Sequence, residues 1–396
     1  MFEFLCLLLS PLVFSRLYIL SGLHLSKDFR LFSFLLATSL IVTISFLLPQ
    51  RDLHIVSSGI GTDILHYMDA FEQLIYLNSF NYSAIMDIAA KNTGSWEPFF
   101  WILANGLAVI FDSGDSIWSG MIFISLFVFL IGAWKQSPEF ALVTLCAYMS
   151  TITFYAFSIS ALRQFLALSF FFLALSFYKN DKVFYISLLL AILSHGTMLI
   201  ISPLIILAKY ASLHTKLTNR RVIIIAFVFS LSLLTFIKIA LPFLLSFVSS
   251  IDTGIIGKVK ALTNGENTNN SISSFVQLFI EGLIFSFYIF HFRRFIPRFL
   301  VLSFIFVFSV SIILVLGTNF GDRVYRVIYI IYMVAISCHF SNIKSVIGRY
   351  ILSFSCVSIS FIWFLYLYYE RYGVFYFDSM LSDYLLYYGI LFDFGG

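Results

Sequence analysis

Long apolar runs recur along the chain and are separated by short polar segments. Each run has about 18 to 22 residues, enough for a helix to cross the hydrocarbon core of a bilayer. The runs lack the alternation of polar and apolar positions found in membrane barrels, so the pattern predicts α-helices, which satisfy their own backbone hydrogen bonds in lipid. The predicted spans are 2–22, 31–49, 116–134, 140–157, 160–178, 183–208, 222–242, 274–292, 299–317, 324–340 and 350–368. We therefore expect an all-α polytopic membrane protein, with about 10–12 transmembrane helices in a single integral membrane domain over residues 1–396.

Two apolar segments do not fit a plain crossing. The segment PFFWILANGLAVIF at 98–111 is too short, which predicts a re-entrant or interfacial helix on the outer face. The run 183–208 is long but is interrupted by SHG at 194–196, so we expect two short helices that meet near His195. Broken helices at membrane depth are tolerated where they line a polar cavity, so this break is itself a candidate site.

The positions of lysine and arginine predict the orientation of the spans. Fourteen of the 24 basic residues fall in six short loops assigned to the cytoplasmic side, namely 24–30, 135–138, 179–182, 209–221, 291–298 and 341–349. This assignment requires the chain to turn back near His195, because otherwise the basic segment 209–221 would face outward. Residues 50–97 then form an outer loop with amphipathic helices, and residues 243–273 form a second outer loop, which we interpret as a solvated connector.

Composition narrows the possible function classes. The chain is 60% hydrophobic and 11% charged, and its formal net charge is only +4. The basic residues follow the membrane topology, so we expect no nucleic-acid partner. The four cysteines stand singly in apolar segments, which argues against a disulfide framework, a cysteine metal site or redox chemistry. We expect no cofactor.

The first candidate site residue is Arg163, which stands with Gln164 at the head of an apolar helix. An arginine at a helix end can act as an anchor whose charge reaches water, which is one interpretation. The other is anion binding, because the positive-inside rule disfavours an outward arginine and a guanidinium can pair with two phosphate oxygens at once. The positive end of the helix dipole adds to that attraction.

A second outward cluster is the sequence GDRVYR at 321–326. Arg323 and Arg326 are three residues apart, so both lie on one helical face beside Tyr325. They either form a surface ion pair with Asp322 or bind phosphate, and a pyrophosphate would use this cluster together with the first.

Three further residues are candidates for proton transfer or substrate binding. His195 is a lone imidazole in an apolar run, either a hydrogen-bonded structural residue or a group that accepts a proton or bonds a sugar hydroxyl. Asp63 precedes His66 by three residues. The two belong either to an N-capped amphipathic helix or to a metal site, for which the sequence shows no third ligand at a clear spacing. We expect no metal. Glu97 precedes a helix that starts with proline, where it either caps the helix or faces the cavity.

These motifs together resemble the EpsG-like members of the Wzy polysaccharide polymerases, bacterial membrane proteins that join lipid-linked oligosaccharide repeat units outside the plasma membrane. The resemblance covers residues 61–200, about a third of the chain. It rests on four ordered stretches, GTDILHYMDAFE, EPFFWIL, SALRQFLALSFFFLALSFY and KNDKVFYISLLLAILSHGTMLI, of which the last two are the most specific. The later stretch GDRVYRVIYIIY is similar to a turn with arginine and tyrosine that occurs late in the family's sequences. It does not show whether Arg323 or Arg326 is equivalent to the family's arginine.

The resemblance implies a metal-independent glycosyltransferase of the bacterial inner membrane whose site faces the periplasm. Its donor would be a growing glycan on undecaprenyl pyrophosphate and its acceptor one lipid-linked repeat unit, with a chain-length regulator protein as a further partner in the bilayer. The leaving pyrophosphate needs fixed cations, and the acceptor hydroxyl needs a base. The predicted catalytic residues are His195, Asp63 and Arg163. The predicted substrate-binding residues are Arg163, Gln164, Arg323, Arg326, Tyr325 and Glu97.

The residues leave three alternatives open, of which the third is a purely structural membrane subunit. A polysaccharide ligase would use the same lipid-phosphate chemistry with a different acceptor. A lipid-linked glycan flippase or other transporter should carry polar residues along its whole path, whereas the inner half of the predicted spans holds only Arg16 and Lys238.

The topology predicts that the segment 209–221 is cytoplasmic. The Thr218→Cys variant, in a background without the four native cysteines, should not react with a membrane-impermeant thiol reagent in intact cells, because the basic loop stays inside. It should react once the membrane is permeabilised, which is the control. Labelling in intact cells would contradict the orientation.

Overall fold

The structure, a computed structural model, describes residues 17–22, 27–47, 62–77, 79–95, 97–149, 161–213, 282–317 and 321–358, with isolated positions between 150 and 160. The predicted span 222–242, the outer loop 243–273 and Thr218 lie outside the described residues. Within the described residues, all regular secondary structure is helical.

The helices are labelled in chain order. They are α1 Arg30–Leu47, α2 Thr62–Leu77, α3 Tyr82–Thr93, α4 Pro98–Ala108, α5 Gly114–Gln136, α6 Ala141–Met149, α7 Leu162–Ser176, α8 Asp181–Ser194, α9 Met198–Leu213, α10 Gly282–His291, α11 Arg298–Gly317, α12 Gly321–Asn342 and α13 Val346–Ser358.

The helix α5 has the length and composition of a membrane span, with 23 residues and little charge. Within the described residues it is the one helix that meets both requirements, and several others, including α1, α7 and α9, are apolar over 10–17 residues. With helices and no strands in the described part of the chain, the prediction of an all-α membrane fold is confirmed.

Both irregular segments predicted from the sequence are present. The helix α4 has 11 residues and begins with Pro98, whose missing N–H and fixed φ suit a first helical position. The helix α8 ends at Ser194 and α9 begins at Met198, so the predicted break at His195 is confirmed. The segment before α4 contains the helices α2 and α3, and its placement on the outer face stays a prediction.

Side-chain caps mark where three helices of the first unit begin. The side chains of Asn81, Ser113 and Asn180 accept a hydrogen bond from the backbone N–H three residues later, at the starts of α3, α5 and α8. At the other end of α3, Gly94 adopts φ 55°, a left-handed conformation that favours glycine. This turn leads the chain directly into Ser95 and the head of α4.

The chain divides into two compact units, residues 1–196 with 340–396, and residues 197–339. In the first unit, α7 packs against α5 and α8, and α1 packs against α5. The core is aromatic: the ring of Phe129 stacks at 4.5 Å on Tyr148 and at 4.0 Å on Phe172. Gly132 lets α5 and α7 approach closely, because a Cβ there would lie 2.6 Å from the ring of Phe172.

The second unit has its own contacts. The helix α9 packs against α11. At the end of α10, the hydroxyl of Tyr288 lies 2.7 Å from Nδ1 of His339, whose ring stacks against the ring of Phe295 at 5.0 Å. His339 is thus a packed, hydrogen-bonded residue of this unit.

An ion pair in the first unit joins α1 to the turn between α5 and α6. Arg30, the first residue of α1, pairs with Glu139 in the turn between α5 and α6. The side chains are 39% and 12% exposed, so this pair is more open to water than the pair of Arg163 and Glu97.

Candidate functional site

The centre of the candidate site is an ion pair between Arg163 and Glu97. Nη1 of Arg163 donates to Oε2 of Glu97 at 2.8 Å, and Nε of Arg163 donates to the hydroxyl of Tyr67 at 2.9 Å. The arginine side chain is 15% exposed and the glutamate side chain 7% exposed. Two separate contacts therefore orient the guanidinium in a largely dry environment.

The carboxylate of Glu97 is held by further donors. The hydroxyl of Ser95 donates to Oε2, and the indole N–H of Trp101 donates to that same serine oxygen at 2.7 Å. The backbone N–H of Gly196 donates to Oε1 at 3.3 Å. The carboxylate thus joins the head of α4, the head of α7 and the break after α8.

The surroundings favour the ionised form of Glu97, which lies in the loop before α4. Burial by itself would raise the pKa of this carboxyl, but the charge of Arg163, the Ser95 hydrogen bond and His195 together lower the pKa below its ordinary value. Because the folded-state pKa is lowered, the stabilisation from ionised Glu97 is present at neutral pH and is lost on acidification through that lowered pKa. The ion pair therefore persists under ordinary conditions.

His195 lies beside this pair. It caps α8 in an extended conformation, its backbone N–H donates to the carbonyl of Ala191 at 3.1 Å, and the residue is 9% exposed. It interacts electrostatically with Glu97. The break in the helix thus brings the backbone N–H of Gly196 to the carboxylate with which the neighbouring His195 interacts.

The hydroxyl of Tyr67 is positioned by packing of its ring. Its ring packs against Phe71, Phe100 and Trp101, with centroid separations of 5.7–6.1 Å, and Tyr67 is 2% exposed. These rings fill the contact between α2 and α4 and are buried, so they form a core that fixes the tyrosine.

The structure brings together three of the predicted site residues, Arg163, Glu97 and His195. Gln164 is 3% exposed and follows Arg163 on α7. Asp63 lies in the first turn of α2, four residues before Tyr67, and its side chain is outside the described residues. His66 is exposed to solvent.

The predicted second arginine cluster lies in the other unit. Arg326 is half-buried in α12, and the side chains of Arg323 and Tyr325 are outside the described residues. Their joint action with Arg163 on one pyrophosphate stays a prediction.

Sequence reasoning missed Tyr67, Ser95 and Trp101 as parts of the site. The signal for Ser95 was the stretch GSWEPFF at 94–100, in which this serine and Glu97 lie just before a helix that starts with proline. Trp101 lies one residue beyond that stretch and, as an aromatic residue in an apolar helix, gave no signal of its own. Tyr67 gave no signal of its own, because a tyrosine among many aromatic residues is ordinarily core packing.

No group of three His, Cys, Asp or Glu side chains with metal-binding geometry occurs among the described residues. The acidic group nearest Arg163 in the described part of the chain, Glu97, is bound to an arginine, a hydroxyl and a backbone N–H. What the arrangement offers instead is a fixed guanidinium, an imidazole and a buried carboxylate.

Comparison with known proteins locates the chain among its relatives. A relative from Ralstonia solanacearum, described as the EPS I polysaccharide export inner membrane protein EpsF, is 38% identical over 133 residues, 33% of this chain and 31% of the relative. The protein of the same description from Ralstonia nicotianae is 35% identical over 150 residues, 37% of this chain and 36% of the relative. Each alignment thus spans about a third of the relative's own length. No solved structure matches.

The sequence profile of the EpsG family matches residues 54–384, a range that contains the ion pair, His195 and the second arginine cluster. Because this match covers most of the 396 residues, the chain belongs to the EpsG family.

Proposed function

We propose that this protein is a glycosyltransferase of the inner membrane that polymerises oligosaccharide repeat units carried on undecaprenyl pyrophosphate. The glycan on one lipid pyrophosphate is the donor, and a second lipid-linked repeat unit is the acceptor. The reaction takes place at the outer face, where residues 50–97 and the break at His195 are expected. Family membership and the names of the Ralstonia relatives support a role in polysaccharide biosynthesis.

The observation that carries this proposal is the convergence of four sequence stretches on one polar cluster. Tyr67, Glu97, Arg163 and His195 come from the four stretches that resemble the polymerases, and 128 positions separate the first from the last. Hydrogen bonds and charge join them in a largely buried site. Buried polar groups gathered from distant segments are typical of a functional site, because burying them is costly unless they are paired.

Arg163 suits the leaving pyrophosphate. Of its five N–H donors, two are engaged with described residues, one by Tyr67 and one by Glu97. The remaining donors can reach phosphate oxygens, and the guanidinium is already oriented. When the bond from the anomeric carbon to the pyrophosphate oxygen breaks, negative charge develops on that oxygen, and a fixed cation in a dry site stabilises it strongly.

His195 suits the acceptor. A sugar hydroxyl of the acceptor attacks the anomeric carbon, so that a new carbon–oxygen bond forms as the bond to pyrophosphate breaks. The hydroxyl proton passes to the imidazole of His195, and undecaprenyl pyrophosphate leaves with the electron pair of the broken bond. Asp63 is the other candidate base.

A second candidate function follows from the printed description of the two relatives as export proteins. On that alternative the protein moves a glycan across the membrane and makes no glycosidic bond. The two functions differ in their product: a polymerase lengthens the glycan in a sealed vesicle, whereas an exporter changes its side of the membrane with its length unchanged.

The variant Arg163→Lys tests the role of the guanidinium. Lysine keeps the charge and can anchor a helix end, but it lacks the planar fork that contacts Tyr67, Glu97 and a phosphate together. We expect polymer formation from lipid-linked repeat units to fall by about 10²- to 10³-fold at matched protein level, the loss typical of a missing oxyanion donor. The readout is the glycan ladder made by protein in proteoliposomes.

The matched control is Arg30→Lys, because Arg30 also pairs with a glutamate but lies at the head of α1. This variant should polymerise at the wild-type rate. Normal long-chain product from Arg163→Lys would show that the arginine is only an anchor.

We further propose that the reaction needs no divalent metal, since an arginine performs the charge neutralisation that a metal would otherwise supply. Polymerisation by purified protein should therefore continue at an unchanged rate in excess EDTA. Complete loss in EDTA with rescue by magnesium or manganese would contradict this and would favour Asp63 and His66 as ligands.

A further inference from the structure

Glu97 bridges the two parts of the proposed catalytic apparatus. One carboxylate oxygen accepts from Arg163, and the other accepts from the backbone N–H of Gly196, the residue that follows His195. A single side chain thus contacts the head of α7 and the break between α8 and α9.

The contacts of Glu97 are unlike those of a residue that binds the lipid phosphate. Its charge would repel a pyrophosphate, and its oxygens already accept hydrogen bonds from Arg163, Ser95 and Gly196. The carboxylate is also 7% exposed, so little of it is open to a substrate. The predicted role of Glu97 in substrate binding therefore has less support than a role exerted through its neighbours.

We infer that Glu97 is a positioning residue, which holds the guanidinium of Arg163 and the backbone next to His195 in one fixed arrangement. This inference rests on the proposed polymerase function. The atoms that react are on the substrates, and Glu97 keeps its charge and bonds throughout.

Electrostatics supports this assignment. His195 favours the ionised form of Glu97, and by reciprocity the carboxylate favours the protonated imidazole. The helix α8 packs against α7 and α4, and the described titratable groups that those helices and α2 bring to this cluster are Arg163, Glu97 and Tyr67. The charged residues Asp181 and Lys182 lie at the far end of α8, about 20 Å away at 1.5 Å per residue.

The variant Glu97→Gln tests the inference, because glutamine keeps the shape and one oxygen acceptor but removes the charge. We expect kcat to fall by about 10²-fold, less than the roughly 10⁴-fold loss on replacing a carboxylate that bonds directly to a catalytic histidine. KM for the lipid-linked donor should stay within about threefold, since Glu97 does not touch it. Without the negative charge the imidazole loses its proton more easily, so the acid limb of the kcat profile should move to lower pH.

The matched control is Glu139→Gln, which removes the carboxylate of the other described arginine–glutamate pair in the first unit. It should leave kcat, KM and the pH profile unchanged. Loss of thermal stability in Glu97→Gln with unchanged kcat and pH profile per folded protein would overturn the inference in favour of a structural role. A raised KM with unchanged kcat would overturn it in favour of substrate binding.

The activity of the wild-type protein distinguishes failure of the proposed polymerase function from failure of the positioning role of Glu97. If it forms no polymer from lipid-linked repeat units, the proposed function fails and the inference fails with it. If it polymerises them and Glu97→Gln behaves like Glu139→Gln, only the inference fails.

Discussion

The pairing of Arg163 with Glu97, in a position largely closed to water, is the interaction on which the arrangement of the site depends. Burying two charges costs several kcal/mol for each ion, and their attraction offsets this cost only with good geometry and further hydrogen bonds. Tyr67, Ser95 and the backbone N–H of Gly196 supply those bonds. Removing either charge alone would leave the other buried and unpaired, a loss of about 3–5 kcal/mol. The pair thus constrains the helices that carry it.

The site lies where helices begin or are interrupted, at the heads of α4 and α7 and at the break after α8. The N–H groups inside a regular span are bound to carbonyls four residues earlier, so an unbroken helix could not offer a backbone N–H to a carboxylate. The glycine turn at Gly94 leads into α4, and the break after Ser194 frees the N–H of Gly196 for a carboxylate. A backbone N–H released from its helix needs a partner, and Glu97 provides one. The break after α8 and the carboxylate of Glu97 are thus directly linked by a hydrogen bond.

Much of this architecture could be predicted from sequence because the physical signals were strong. Apolar runs predicted an all-helical membrane fold, the proline predicted the start of α4, and SHG predicted the break. Arg163, Glu97 and His195 could be singled out as polar residues in apolar surroundings. Their direct pairing could not, because periodicity places residues on a helix face and leaves the neighbouring helix undefined. Tyr67 was missed for that reason: its role comes from the arginine it contacts and not from its own segment.

A structure of the full-length protein in a lipid nanodisc with undecaprenyl pyrophosphate bound would test the central claim most directly. The account predicts a phosphate oxygen about 2.7–2.9 Å from a guanidinium nitrogen of Arg163, the distance of a charge-assisted hydrogen bond, with Glu97 still paired and His195 beside the phosphate. A pyrophosphate bound elsewhere, while Arg163 contacts only Glu97 and Tyr67, would contradict it.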